Sequence, residues 1–138
     1  MGKGIREVMT SKLCSIDFDK PVAYAAKMMR DEDVGLAPIV EGDRLVGTLT
    51  DRDIAVKVVA EGRDPETTQV REVASTDLVT VGPQQDLDEA LRLMAQHQVR
   101  RIPVVEDDGR LVGIVAQADV ARQSDDRRTG EVVEQISQ

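Results

Sequence analysis

The apolar positions of this chain follow a pattern that is written twice. Val22, Ala25, Ala26 and Met29 recur at i, i+3, i+4 and i+7, and Leu87, Ala90, Leu91 and Met94 repeat that spacing. Such a stripe marks a helix with one buried face. The first helix is predicted to open at Pro21, whose missing N–H costs nothing in a first turn, and to end near Val34. The second is predicted to open with a capping box, Asp86 followed by Glu89, and to end near Val99. Short apolar or alternating runs at 13–16 and 78–81 read as strands ahead of each helix. A hairpin follows each helix, with strands at 36–40 and 45–50 around Gly42 and at 101–105 and 111–116 around Asp108-Gly109. A further helix begins at Asp51, with Gly62 placed to end it, and again at Gln117.

The residues repeat as well as the pattern. Ile5-Arg6-Glu7-Val8 returns as Val70-Arg71-Glu72-Val73, and Ala37-Pro38-Ile39-Val40-Glu41 as Ile102-Pro103-Val104-Val105-Glu106. The stretch from Arg44 to Asp53 returns from Arg110 to Asp119. With one residue inserted near Gly109, roughly a third of aligned positions are identical, a self-similarity that outranks other signals. Two copies are too few for a solenoid, so an α+β fold of two pseudo-symmetric halves, each about β-α-β-β-α, is expected. The expected bounds are 5–62 for the first repeat, 63–69 for a linker and 70–123 for the second repeat. Residues 124–138 are expected to form a charged tail with room for a short helix at 131–136.

Composition narrows the chemistry. The 138 residues are enough for a real core, and one Phe, one Tyr and no Trp mean that aliphatic side chains build it. A net charge of −8 argues against nucleic acid and anionic membranes as partners, since both attract Lys and Arg. Cys14 and His97, each the sole residue of its type, make neither a disulfide nor a metal cluster. Cys14 is expected to pack as a small hydrophobe, and His97 to be solvated. No run has the length of a membrane span and no apolar stretch opens the chain, so a cytoplasmic location is expected. With no Cys–His or Ser–His constellation and no Walker-type glycine loop, no enzymatic activity is expected.

The element order, with Pro in the second strand and Gly-x-x-Thr-x-x-Asp closing the third, resembles the CBS domain. CBS domains occur in pairs called Bateman modules. The resemblance spans about residues 5–123, and its most specific piece is Gly47-Thr-Leu-Thr-Asp-Arg-Asp53, echoed at 113–119. The chain is most similar to small stand-alone CBS pairs of the hypoxia- or stress-response type, without an attached catalytic or transport domain. The resemblance implies a homodimer, a downstream protein target, and clefts between the repeats. These clefts would take adenosine-containing ligands: AMP, ADP, ATP, S-adenosylmethionine or sometimes NAD. No cofactor or metal is required.

Residue by residue, the resemblance makes Asp53 and Asp119 acceptors for ribose hydroxyls, which suits a carboxylate. Thr50 would bond the ribose-phosphate region; the second copy has Ala116 there and departs from the pattern. Thr50 and Asp53 also satisfy a capping box, which needs no ligand. Arg100 and Arg101 are phosphate ligands by resemblance, or cations favoured at a helix end. Their counterparts are Gly35 and Leu36, so a composite cleft uniting Asp53 with the arginines is expected. The base pocket would be Ser15, Ile16, Ala37 and Pro38 in one copy and Thr80, Val81, Ile102 and Pro103 in the other. Ile16, Val81 and Ile102 equally read as core. Arg52 is expected to be exposed.

Overall fold

The computed structural model describes residues 4–123; the expected tail and its helix at 131–136 lie outside them. The chain forms two compact units. The first is Cys14–Leu78; the second joins Met1–Leu13 to Val79–Gln138.

In the first unit a three-stranded sheet has the order β1-β2-β3: β1 (Ile16–Asp17), β2 (Leu36–Glu41) and β3 (Arg44–Thr50). β1 pairs parallel with β2 (Ile16 beside Ile39), and β2 antiparallel with β3 (Leu36 opposite Thr50). Helix α1 (Val22–Glu32) buries Val22, Ala25 and Met29, the stripe read from the sequence, against Ile16, Ala37, Ile39 and Leu49. Pro21 stands one place earlier than expected, as the N-cap, and the left-handed Asp33 ends the helix. After β3, helix α2 (Asp51–Asp53) runs directly into a π-helical stretch, Ile54–Val59.

The second unit repeats this with a smaller sheet. Helix α3 (Leu87–His97) buries Leu87, Ala90, Leu91 and Met94, and the left-handed Gln98 ends it. Strands β4 (Arg101–Val105) and β5 (Leu111–Ala116) pair antiparallel, and helix α4 (Gln117–Gln123) follows.

Three local expectations need correction. The strand at 13–16 is only Ile16–Asp17, because Cys14 takes a left-handed conformation (φ 47°) that interrupts the extended run. The strand at 78–81 shrinks to one parallel bridge, Val81 to Val104. Asp86 takes the N-cap position of α3 but makes no side-chain cap bond; Glu89 instead pairs with Arg92 at 2.6 Å.

Residues 63–69 pack on the start of α1. The Val22 N–H donates to Thr68 O (2.8 Å), the Ala23 N–H donates to Pro65 O (2.9 Å), and Thr68 is buried.

Each repeat opens with a segment that packs in the other repeat's unit. Ile5 and Val8 join the core of Leu87, Met94, Ile102 and Val115, while Val70 and Val73 join that of Ile16, Ile39 and Leu49. Both segments form a 3-10 turn, Ile5–Glu7 and Val70–Glu72. In each, the glutamate accepts from the N–H three residues before it: Gly4 to Glu7 at 2.9 Å and Gln69 to Glu72 at 2.7 Å. The Gln69 N–H, and then Arg63, hold the Glu72 carboxyl below its usual range.

Each segment then pairs antiparallel with a strand beside a glycine. Ser75 bridges to Thr48, and Thr10 to Ile114. A Cβ on Gly47 would lie 3.1 Å from Ser75 O and 3.2 Å from the Ala74 Cβ; one on Gly113 would lie 2.5 Å from Met9 Sδ and 3.1 Å from Thr10 O. The glycine of the repeated motif therefore makes room for backbone. Gly47→Ala and Gly113→Ala are expected to lower unfolding stability by about 1–3 kcal/mol through overpacking. Urea titrations read this, and unchanged midpoints would mean that the paired segments are not tightly held.

Candidate functional site

The repeated motif lands at a strand–helix junction in each unit. In the first, Thr50 ends β3 and caps α2. Its Oγ1 accepts from the Asp53 N–H (3.1 Å), and Asp53 Oδ2 accepts from the Thr50 N–H (2.9 Å). This is a closed capping box, so the capping reading of these two residues holds in the fold. Asp53 does more than cap. Its Oδ1 lies 3.2 Å from Lys57 Nζ, which also donates to Val73 O (3.1 Å), and its side chain is 17% exposed. Each carboxylate oxygen thus has one partner. A carboxylate offers about four lone-pair positions, so capacity remains for further donors such as a vicinal diol.

Around this junction, Leu36 stands opposite Thr50, and Ala37 and Pro38 continue along β2. Ile16 and Ala37 are core residues and Pro38 is also buried, whereas Ser15 is exposed. Arg52 is exposed, and its N–H donates to Asp51 Oδ1 (2.8 Å).

The junction of the second unit differs at the positions of Thr50, Asp51 and Arg52 and keeps the aspartate. Ala116 has no capping side chain and pairs with Arg101. The Gln117 N–H donates to Arg100 O (2.8 Å). Arg100 and Arg101 are both exposed. Asp119 is retained and pairs with Arg122, three residues on. Ile102 and Val81 belong to the core, Pro103 is buried and Thr80 is half-buried. A cavity of about 400 Å³ is lined by Thr80, Val81, Gln84, Gln85, Glu106 and Asp107 among others. It opens at the Val105 end of β4, whereas Arg101 and Ala116 meet at the other end.

Sequence reasoning missed Lys57 and Arg122, the cations that hold the two aspartates. Their spacing, i+4 from Asp53 and i+3 from Asp119, was a usable signal, because residues so spaced share a helix face. Among the described residues, no group of three or more His, Cys, Asp or Glu side chains is placed to hold a metal ion, and no helix is long and apolar enough to cross a membrane.

The geometry has counterparts in known proteins. The CBS domain-containing protein YhcV of Bacillus subtilis is 42% identical over 134 residues, covering 96% of this chain and 94% of that protein. Hypoxic response protein 1 of Mycobacterium tuberculosis is 42% identical over 118 residues, 85% of this chain and 82% of its own. The crystal structure of Hypoxic Response Protein I, with two coordinated zinc ions, superimposes with a TM-score of 0.81 over 89% of this chain and 100% of that one. The CBS domain pair of protein MJ0100, in complex with 5'-methylthioadenosine and S-adenosyl-L-methionine, gives a TM-score of 0.72 at 25% identity, covering 88% and 95%. The CBS domain family model matches residues 5–60 and 70–126. With both repeats matched, and two relatives similar over most of their length, the chain belongs to the CBS domain family and carries two CBS domains in tandem.

Proposed function

We propose that this CBS pair is a regulatory module that binds an adenosine-containing ligand: AMP, ADP, ATP or S-adenosylmethionine. The observation that carries the reading is Asp53, a largely buried carboxylate at a strand–helix junction with acceptor capacity to spare. Ribose supplies two adjacent hydroxyl donors for such a group. Thr50 Oγ1, which accepts from the Asp53 N–H, keeps its own hydrogen for a ligand oxygen. The methylthioadenosine and S-adenosylmethionine held by the MJ0100 pair support the same ligand class.

Two observations favour a second reading, a ligand-free interaction module. Both Asp53 oxygens already have donors within the unit, and Ala116 removes the hydroxyl from the other junction. A thermal-shift screen with AMP, ADP, ATP, NAD and S-adenosylmethionine separates the two, since a ligand that binds only the folded state raises its melting temperature. A rise with at least one is expected; no response to any of them favours the interaction module.

For the responding ligand, Asp53→Ala is expected to weaken binding about tenfold or more, the worth of a charge-assisted hydrogen bond. Asp53→Asn, which retains a capping oxygen, guards against misreading a folding defect. Equal affinity for wild type and both variants in calorimetry removes Asp53 from the site.

The module is further proposed to act as a homodimer. Tyr24, Val56 and Val59 of the first unit are 50, 46 and 69% exposed, large apolar side chains that a second copy would cover. Light scattering should give twice the chain mass of 15.1 kDa, and Val59→Glu should shift the population toward monomer. A monomer mass for the wild type at high concentration defeats the proposal.

A further inference from the structure

We propose that the second unit has a binding site for an organic ammonium ion, in the cavity at the Val105 end of β4. The site is separate from the strand–helix junctions and independent of the adenosine-ligand reading, because Arg101 and Ala116 meet at the opposite end of that strand.

The cavity lies where proline replaces phenylalanine between the repeats. In the first unit the turn after β1 places Phe18 against the core, and the Phe18 N–H donates to Val40 O (2.9 Å). The guanidinium group of Arg71 lies 5.3 Å from the centre of the Phe18 ring. The second unit builds the same turn. The Gln85 N–H donates to Gly82 O (3.2 Å) as the Lys20 N–H does to Asp17 O (3.1 Å). The Arg6 N–H donates to Pro83 O (3.1 Å) as the Arg71 N–H does to Phe18 O (3.2 Å). Pro83 therefore stands where Phe18 does, with a smaller ring, and it lines the cavity of about 400 Å³.

Proline also removes a donor. Val105 is the counterpart of Val40. Its N–H donates to Val81 O (2.9 Å), and a strand residue turns its N–H and its carbonyl to the same side, so Val105 O faces this edge. Pro83 has no N–H to offer it. A carbonyl in a cavity wall that lacks its usual donor is an acceptor available to a ligand.

The side chains around it also accept. Glu106 gives Oε1 to Arg6 (3.1 Å) and keeps Oε2, and Asp107 makes no ion pair among the described residues. The Thr80 hydroxyl is a further acceptor. Gln85 is committed, its Oε1 accepting from the Gly82 N–H (2.6 Å). Arg6 neutralises one carboxylate and leaves the other, so the wall suits a cation rich in donors. A metal ion matches poorly, since among the described residues no three His, Cys, Asp or Glu side chains are placed to ligate one. Val81, Pro83 and Val105 add apolar wall for a methylene chain, which an alkylammonium has and a hydrated metal ion lacks.

Putrescine, a diamine, is the probe, and butanediol is its neutral counterpart. Calorimetry on the full chain is expected to show binding of putrescine and none of butanediol at the same concentration. Pro83→Ala returns an N–H to Val105 O and is expected to weaken putrescine about tenfold, the worth of a hydrogen bond to a charged group. Pro83→Phe rebuilds the arrangement of the first unit and is expected to abolish binding. Asp107→Asn is expected to weaken binding about threefold, while Asp43→Asn, the same charge change in the turn of the other hairpin, leaves it unchanged. No binding of millimolar putrescine by wild type overturns the proposal. So does equal stabilisation by magnesium at matched ionic strength, which would reduce the effect to diffuse attraction to an acidic chain. Unchanged affinity in Pro83→Ala, or equal losses in Asp43→Asn and Asp107→Asn, overturns it as well. Should Pro83→Phe fail to fold, Pro83→Ala and Asp107→Asn carry the test between them.

Discussion

Each core is closed by a segment that pairs antiparallel with a strand beside a bare glycine. Ser75 bridges to Thr48, and Thr10 to Ile114, where Gly47 and Gly113 spare the neighbouring chain the crowding of a Cβ. Those pairings set Val70 and Val73 beneath one sheet and Ile5 and Val8 beneath the other. An added methyl group at either glycine would have to displace its neighbours, which costs stability in a densely packed interior. Because the segment that completes each unit opens the sequence of the other repeat, neither repeat holds a full core of its own. The packing that results also sets the strand–helix junctions: Lys57 reaches both Asp53 and the carbonyl of Val73, tying the carboxylate to the paired segment.

At the junctions the two units have kept one device and changed another. The kept device is a carboxylate in the first helical turn, steadied by a cation one turn on: Asp53 with Lys57, Asp119 with Arg122. Pairs of this spacing contribute little to stability by themselves, so their value is in orienting the carboxylate. The changed device is the group at the strand's end. In the first unit Thr50 and Asp53 exchange hydrogen bonds, and the junction is satisfied internally. In the second, Ala116 leaves the cap open and Gln117 introduces a buried donor with no partner among the described residues. The two junctions thus differ in hydrogen-bonding character without any change in fold.

The sequence alone determined the parts governed by short-range rules. Helical periodicity fixed the buried faces of α1 and α3, with all four stripe residues buried in α3 and all but the half-buried Ala26 in α1, because a stripe at period 3.6 has one way to face a core. Turn chemistry fixed both hairpins, and the repeat itself gave the family. Tertiary structure decided what the local rules leave open. A left-handed Cys14 cut short a strand that composition favoured, and Asp86 left its capping bond unmade while Glu89 turned to Arg92. The partner of each opening segment could not be read at all, since the same apolar residues would close either core and only chain geometry chooses between them. For the same reason the sequence named Thr50, Asp53, Arg100 and Arg101 as chemically apt but passed over Gln117. An amide at the start of a helix reads as ordinary, and only the fold shows its Nε2 atom buried with no hydrogen-bond partner among the described residues.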